Sequence, residues 1–64
     1  MSYRSARKNA GLTVQQVKKA LGVSDAAVYL WETGVSNPKV TNMVKLAALY
    51  GCTVDELLRP EEAG

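Results

Sequence analysis

This sequence predicts an all-α domain of five short helices, on three observations. A pattern of Gly, an apolar residue, then Ser or Thr recurs as Gly11-Leu12-Thr13, Gly22-Val23-Ser24, Gly34-Val35-Ser36 and Gly51-Cys52-Thr53. Between these repeats, apolar residues return at three- and four-residue steps, the period of a half-buried helix. No stretch alternates apolar and polar residues for long enough to make a strand. The repeat has a simple chemistry. Gly adopts the left-handed conformation that ends a helix, and a hydroxyl caps the start of the next. The apolar residue between them packs on the fourth residue of the new helix.

Taken in order, the first helix spans residues 3–10. The second is Val14–Leu21, with Val14, Val17 and Leu21 on one face, and Thr13 with Gln16 fits a capping box. The third is Asp25–Thr33, opened by Ser24 and closed by Gly34. Staples are expected from Leu12 to Val17, Val23 to Val28 and Cys52 to Leu57. The fourth repeat runs into Asn37-Pro38, a loop signal. A fourth helix begins between residues 40 and 42, with Thr41 as its cap, and runs to 50. Val40, Met43, Leu46, Ala47 and Tyr50 form its buried stripe. The fifth is Val54–Leu58, closed by Pro60, with Val54, Leu57 and Leu58 on the core and a Thr53–Glu56 capping box. The domain is expected to cover residues 1–60, followed by a disordered tail at 61–64.

Sixty-four residues with 47% hydrophobic side chains make one small core. One cysteine and no histidine exclude an internal disulfide and a zinc site built from soft ligands. Cys52 reads as a small apolar residue. No apolar run reaches membrane-spanning length and no signal-peptide pattern opens the chain, so a soluble, cytoplasmic, nucleoid-associated protein is expected. The net charge of +2 is modest, but it is unevenly spread. Residues 1–50 carry seven basic against two acidic side chains, and residues 51–64 one against four. A basic body with an acidic end suits a polyanionic partner, though solvated lysines explain it about as well. Without histidine, a Gly-rich phosphate loop or a metal cluster, and with too small a core for a pocket, the chain does not read as an enzyme. No cofactor or small-molecule substrate is expected.

The second and third helices are joined only by Gly22-Val23-Ser24, which makes them cross steeply as a helix-turn-helix. On the third helix, Val28 and Trp31 share a face with Ala27 beside them, and that face is assigned to the core. Asp25, Ala26, Tyr29, Leu30 and Thr33 then point outward.

Here the sequence resembles the lambda Cro/C1-type, or XRE-like, helix-turn-helix regulators over residues 3–58. The matching pieces are Arg7 with Ala10-Gly11-Leu12-Thr13, Leu21-Gly22-Val23-Ser24, and Val28 with Trp31-Glu32 and Gly34. Pro38, Lys45-Leu46-Ala47, Tyr50-Gly51 and Thr53-Val54-Asp55-Glu56-Leu57-Leu58 complete the set. Each is common alone; together, at these spacings, they are specific. The resemblance implies a compact five-helix lambda-repressor-like domain that binds operator double-stranded DNA as a homodimer and regulates transcription, most simply as a repressor. It also implies a partly buried bridge between Arg7 and Glu32, which makes Arg7 structural. The sequence departs from the family in three places. Val14 stands where the family carries a phosphate-gripping Gln. Lys18 stands where it carries Ala. The outward face of the third helix has no Arg or Lys.

Candidate base-reading residues are Asp25, Ala26, Tyr29 and Leu30. Asp25 can accept from cytosine N4 and Ala26 can touch a thymine methyl. Tyr29 suits a phosphate or a base edge, and Leu30 either meets thymine methyls or marks a protein contact. Candidate phosphate contacts are Thr13, Gln15, Ser24, Asn37, Lys39 and Asn42, near helix N-termini whose partial positive charge favours an anion. Lys18 and Lys19 are equally a phosphate patch or a wet face. The competing reading is a protein-interaction module on the same fold, favoured by the uncharged face around Tyr29 and Leu30. Leu49 and Leu58 are candidate dimer contacts.

Overall fold

The structure is a computed structural model and describes residues 2–59. It contains α1 (Tyr3–Asn9), α2 (Val14–Leu21), α3 (Asp25–Thr33), α4 (Val40–Tyr50) and α5 (Val54–Leu58), and no strand among the described residues. The expected tail and the closing Pro60 lie outside the described residues.

The helices begin and end for the reasons the repeats carry. Ser2, Thr13, Ser24 and Thr53 each cap with a side-chain oxygen that accepts the N–H three residues on. Thr13 and Thr53 complete capping boxes with Gln16 and Glu56. Four helix ends close alike, through N–H bonds from Leu12 to Arg7 O, Val23 to Lys18 O, Val35 to Leu30 O and Cys52 to Ala47 O. This six-residue closure needs a left-handed residue just before its donor. Gly11, Gly22, Gly34 and Gly51 supply it, with φ between 70° and 81°.

α2 packs on α3 and α4, α1 on α3 and α4, and α5 on α4. The core between them is Ala6, Val14, Val17, Leu21, Val28, Trp31, Leu46, Ala47, Tyr50 and Leu57. Leu46, Val17 and Val28 are its most enclosed large side chains. Leu12, Val23 and Cys52 are partly buried against that core, as staple residues should be, whereas Val35 of the fourth repeat is exposed. Burial pushes the Cys52 thiol up, away from reactivity.

Four expectations are corrected. Val40 is 77% exposed. The stripe on α4 has the right period, but the core does not cover it at Val40, and Met43 is only half-buried. Leu58 is exposed too. It ends a short helix and lies about 100° around the axis from the buried Leu57. Thr41 is not a cap, because α4 starts at Val40, two residues before the start such a cap would set, and Lys39 occupies the cap position. Lysine has no acceptor, and no side chain caps α4 there. α1 ends at Asn9 rather than residue 10. Pro38, read as a loop marker, is itself buried and pins the α3–α4 connection.

Candidate nucleic-acid interface

α3 is divided lengthwise. Val28 and Trp31 are sunk in the protein, at 1% and 7% exposure, while Tyr29 and Leu30 stand 50% and 41% exposed. Asp25, Ala26 and Thr33 are exposed as well. Asp25, Tyr29 and Thr33 follow one another at four-residue steps, so they form one row on the helix surface; Ala26 and Leu30 form the adjacent row. The Asp25 carboxylate accepts the Ala26 N–H through Oδ1 at 3.1 Å. The Thr33 hydroxyl turns back to its own helix, donating to Tyr29 O at 2.9 Å with Leu30 O at 3.3 Å.

The candidate phosphate residues lie at the starts of three helices. Thr13, Gln15 and Ser24 are exposed at the starts of α2 and α3. The Thr13 hydroxyl is engaged with Gln16, accepting its N–H at 3.2 Å and lying 3.3 Å from its Oε1. The Ser24 hydroxyl accepts the Ala27 N–H at 3.2 Å. Asn37 and Lys39 are exposed, and Asn42 is half-buried, around the start of α4. The first turns of α2 and α4 carry no acid, whereas α3 carries Asp25. An anion is therefore better received at the ends of α2 and α4 than at α3. Lys18 is half-buried and Lys19 exposed.

Beneath α3, Arg7 and Glu32 meet in a two-pronged pair, Nε to Oε2 at 2.7 Å and Nη2 to Oε1 at 3.2 Å. Arg7 also donates to Leu12 O at 3.0 Å, closing the α1–α2 turn. Hydrogen bonding to Glu32 pushes the Arg7 pKa up. The Glu32 side chain is 1% exposed, which makes the pair more enclosed than a partly buried bridge. Sequence reasoning missed Arg4, whose Nε lies 3.4 Å from Glu32 Oε1. The signal was available: Arg4 precedes Arg7 by three residues and so lies on the same side of α1. It also missed the Ser2 cap and the buried Ala6.

No helix among the described residues is long and apolar enough to cross a membrane. Comparison with known proteins gives a family model, described as helix-turn-helix, that matches residues 4–57. The chain is 34% identical over 56 residues to the HTH-type transcriptional activator BcrR of Enterococcus faecalis. That match covers 88% of this chain, which spans 28% of the length of that relative. No solved structure matches. With helices, turns, core and matched span in agreement, the chain belongs to the Cro/C1-type helix-turn-helix family of DNA-binding transcription regulators.

Proposed function

We propose that the domain binds double-stranded DNA sequence-specifically by laying α3 in the major groove. The observation that carries this is the division of α3: Val28 and Trp31 anchor it, while Asp25, Ala26, Tyr29 and Leu30 stand free on the opposite side. Base edges then meet these four residues. Phosphates meet the acid-free helix starts with Thr13, Gln15, Asn37, Lys39 and Asn42, and Ser24 borders the groove. Phosphate contacts set position and base contacts set sequence. Arg7 and Glu32 hold α3 at its angle to α1.

A homodimer follows from economy, since one short helix reads few base pairs and two half-sites about one turn apart read more. Leu58 is exposed and available for such a contact, while Leu49 is partly buried against the core. Repression is the simplest regulatory outcome, because occupying a promoter site requires no further contact. The relative is named an activator; transcription assays with this chain should show lower output from a promoter that carries its site, and higher output would overturn repression.

A second reading, a protein-binding module, draws on the exposed Tyr29, Leu30, Val35, Val40 and Val44. Salt separates the two. DNA affinity should fall by about 0.9 log units per phosphate contact per log unit of salt, and an apolar contact should hardly change. Site selection from random duplexes should then show Asp25→Ala and Tyr29→Ala altering the preferred site. Lys39→Ala should weaken all sites alike. Unchanged preference in both α3 variants would remove α3 from base reading.

A further inference from the structure

We infer that α3 reads pyrimidine edges, a cytosine amino group and thymine methyls, and makes no two-pronged guanine contact. This rests on α3 lying in the major groove as proposed above.

The commonest specific contact to a base pair is a two-pronged donor, Arg or Lys, on guanine O6 and N7. α3 carries neither, and neither Asn nor Gln, which would grip adenine in the same two-pronged way. The remaining outward hydroxyls are Tyr29 and Thr33. Thr33 is spent on the carbonyls of its own helix, at 2.9 and 3.3 Å. Tyr29 offers one donor, not a fork. The guanidiniums of Arg4 and Arg7 are directed at Glu32, at 3.4 and 2.7 Å.

Beside the single Tyr29 hydroxyl, the face offers one carboxylate acceptor and two hydrocarbon groups. Asp25 is exposed, has no cationic partner among the described residues, and engages only Oδ1 with the Ala26 N–H. Its Oδ2 is left to accept. A carboxylate matches the N4 amino group of cytosine; against adenine it would also face the lone pair of N7. Ala26 and Leu30 are separated along the axis by about 6 Å. That is close to two steps of duplex at about 3.4 Å each. The row therefore spans methyl groups on nearby pyrimidines of one strand. The missing basic residue, which looked like a defect in a DNA-reading helix, becomes the specificity itself.

The test uses the 64-residue chain and a duplex it selects from a random pool at low salt. Single bases in that duplex are then replaced. Removing one contacted methyl, by thymine to uracil, should weaken binding about fourfold. Changing guanines to 7-deazaguanine, which deletes N7, should change binding less than twofold. Asp25→Asn should move the preference at its position from cytosine to adenine, by about tenfold or more. Leu30→Ala should abolish the uracil effect at its own step. Asp25 and Leu30 are exposed, so both variants should melt like the parent, which a circular dichroism scan checks. Tenfold loss with 7-deazaguanine, or indifference to uracil, overturns this inference and leaves DNA binding standing. Failure to select any duplex overturns both.

Discussion

Glu32 is the residue on which the position of α3 turns. Its carboxylate is shut away from water and receives two guanidinium groups from α1, one of them largely enclosed itself. Removing one partner of such a pair leaves a charge without compensation, typically at a cost of about 3–5 kcal/mol. Glu32→Ala should therefore lower the unfolding free energy by about 3 kcal/mol in urea titration, and Arg4→Ala by less than 1, because Arg4 is half exposed. Equal costs for the two would mean that the tight pair at 2.7 Å is not the one that matters. Tyr50 gives a second expectation. Burial pushes its hydroxyl up to about 12. A raised folded-state value means that the neutral form is favoured in the fold. The associated stability, roughly 2–3 kcal/mol, is complete below about pH 10 and is lost as pH rises toward 12. Tyr50→Phe should flatten the alkaline limb of a melting-temperature profile between those values.

Helix ends, more than helix interiors, define the elements. At Gly22 the backbone is left-handed and an added Cβ would meet nothing within 4 Å, so the cost of a side chain there is purely conformational. Gly22→Ala should cost about 1–2 kcal/mol, and Gly22→Val more, since a β-branched side chain suits φ > 0 least. Gly22→Asn should cost least. Thermal denaturation of the three variants gives the ranking, and an alanine as harmless as asparagine would contradict it. At the other kind of end, Thr53 and Glu56 cap α5 reciprocally. The Thr53 backbone N–H holds the Glu56 carboxyl below its usual range. A lowered folded-state value places the benefit above the ordinary carboxylate range and removes it as acid protonates the group. Thr53→Ala should cost about 1 kcal/mol near neutrality.

For the molecule as a whole, one core, with ten buried hydrophobic side chains among the described residues, joins five short helices. Leu46 is fully enclosed on α4, the helix packed against α1, α2 and α5. Leu46→Ala should cost about 2–5 kcal/mol, a large share of the stability of so small a domain. Calorimetry should show the whole chain melting earlier in one transition. Two separate transitions would mean that the helices do not share one core. The backbone of the described residues measures 33 × 23 × 21 Å. Half-sites are about 34 Å apart, a spacing compatible with the proposed pair of copies side by side. Sedimentation with the Leu58→Glu variant tests whether α5 joins them. A loss of paired binding without loss of single-site binding is expected.

Much of this was legible because the information is local. The Gly, apolar and hydroxyl repeats mark helix ends through backbone conformation and one hydrogen bond, which need no knowledge of the rest of the chain. Hence the bounds of α2, α3 and α5 follow directly from the residues. The inward Val28 and Trp31 and the outward Tyr29 follow likewise from helical spacing. Tertiary structure decided how far each stripe is covered. Val40 and Leu58 have the right spacing and remain exposed, because burial depends on whether another helix extends that far. It also decided that Arg4 joins Arg7 on one hidden carboxylate, and that Thr33 spends its hydroxyl on its own helix. Periodicity names the face of a helix; only the neighbouring elements determine what that face meets.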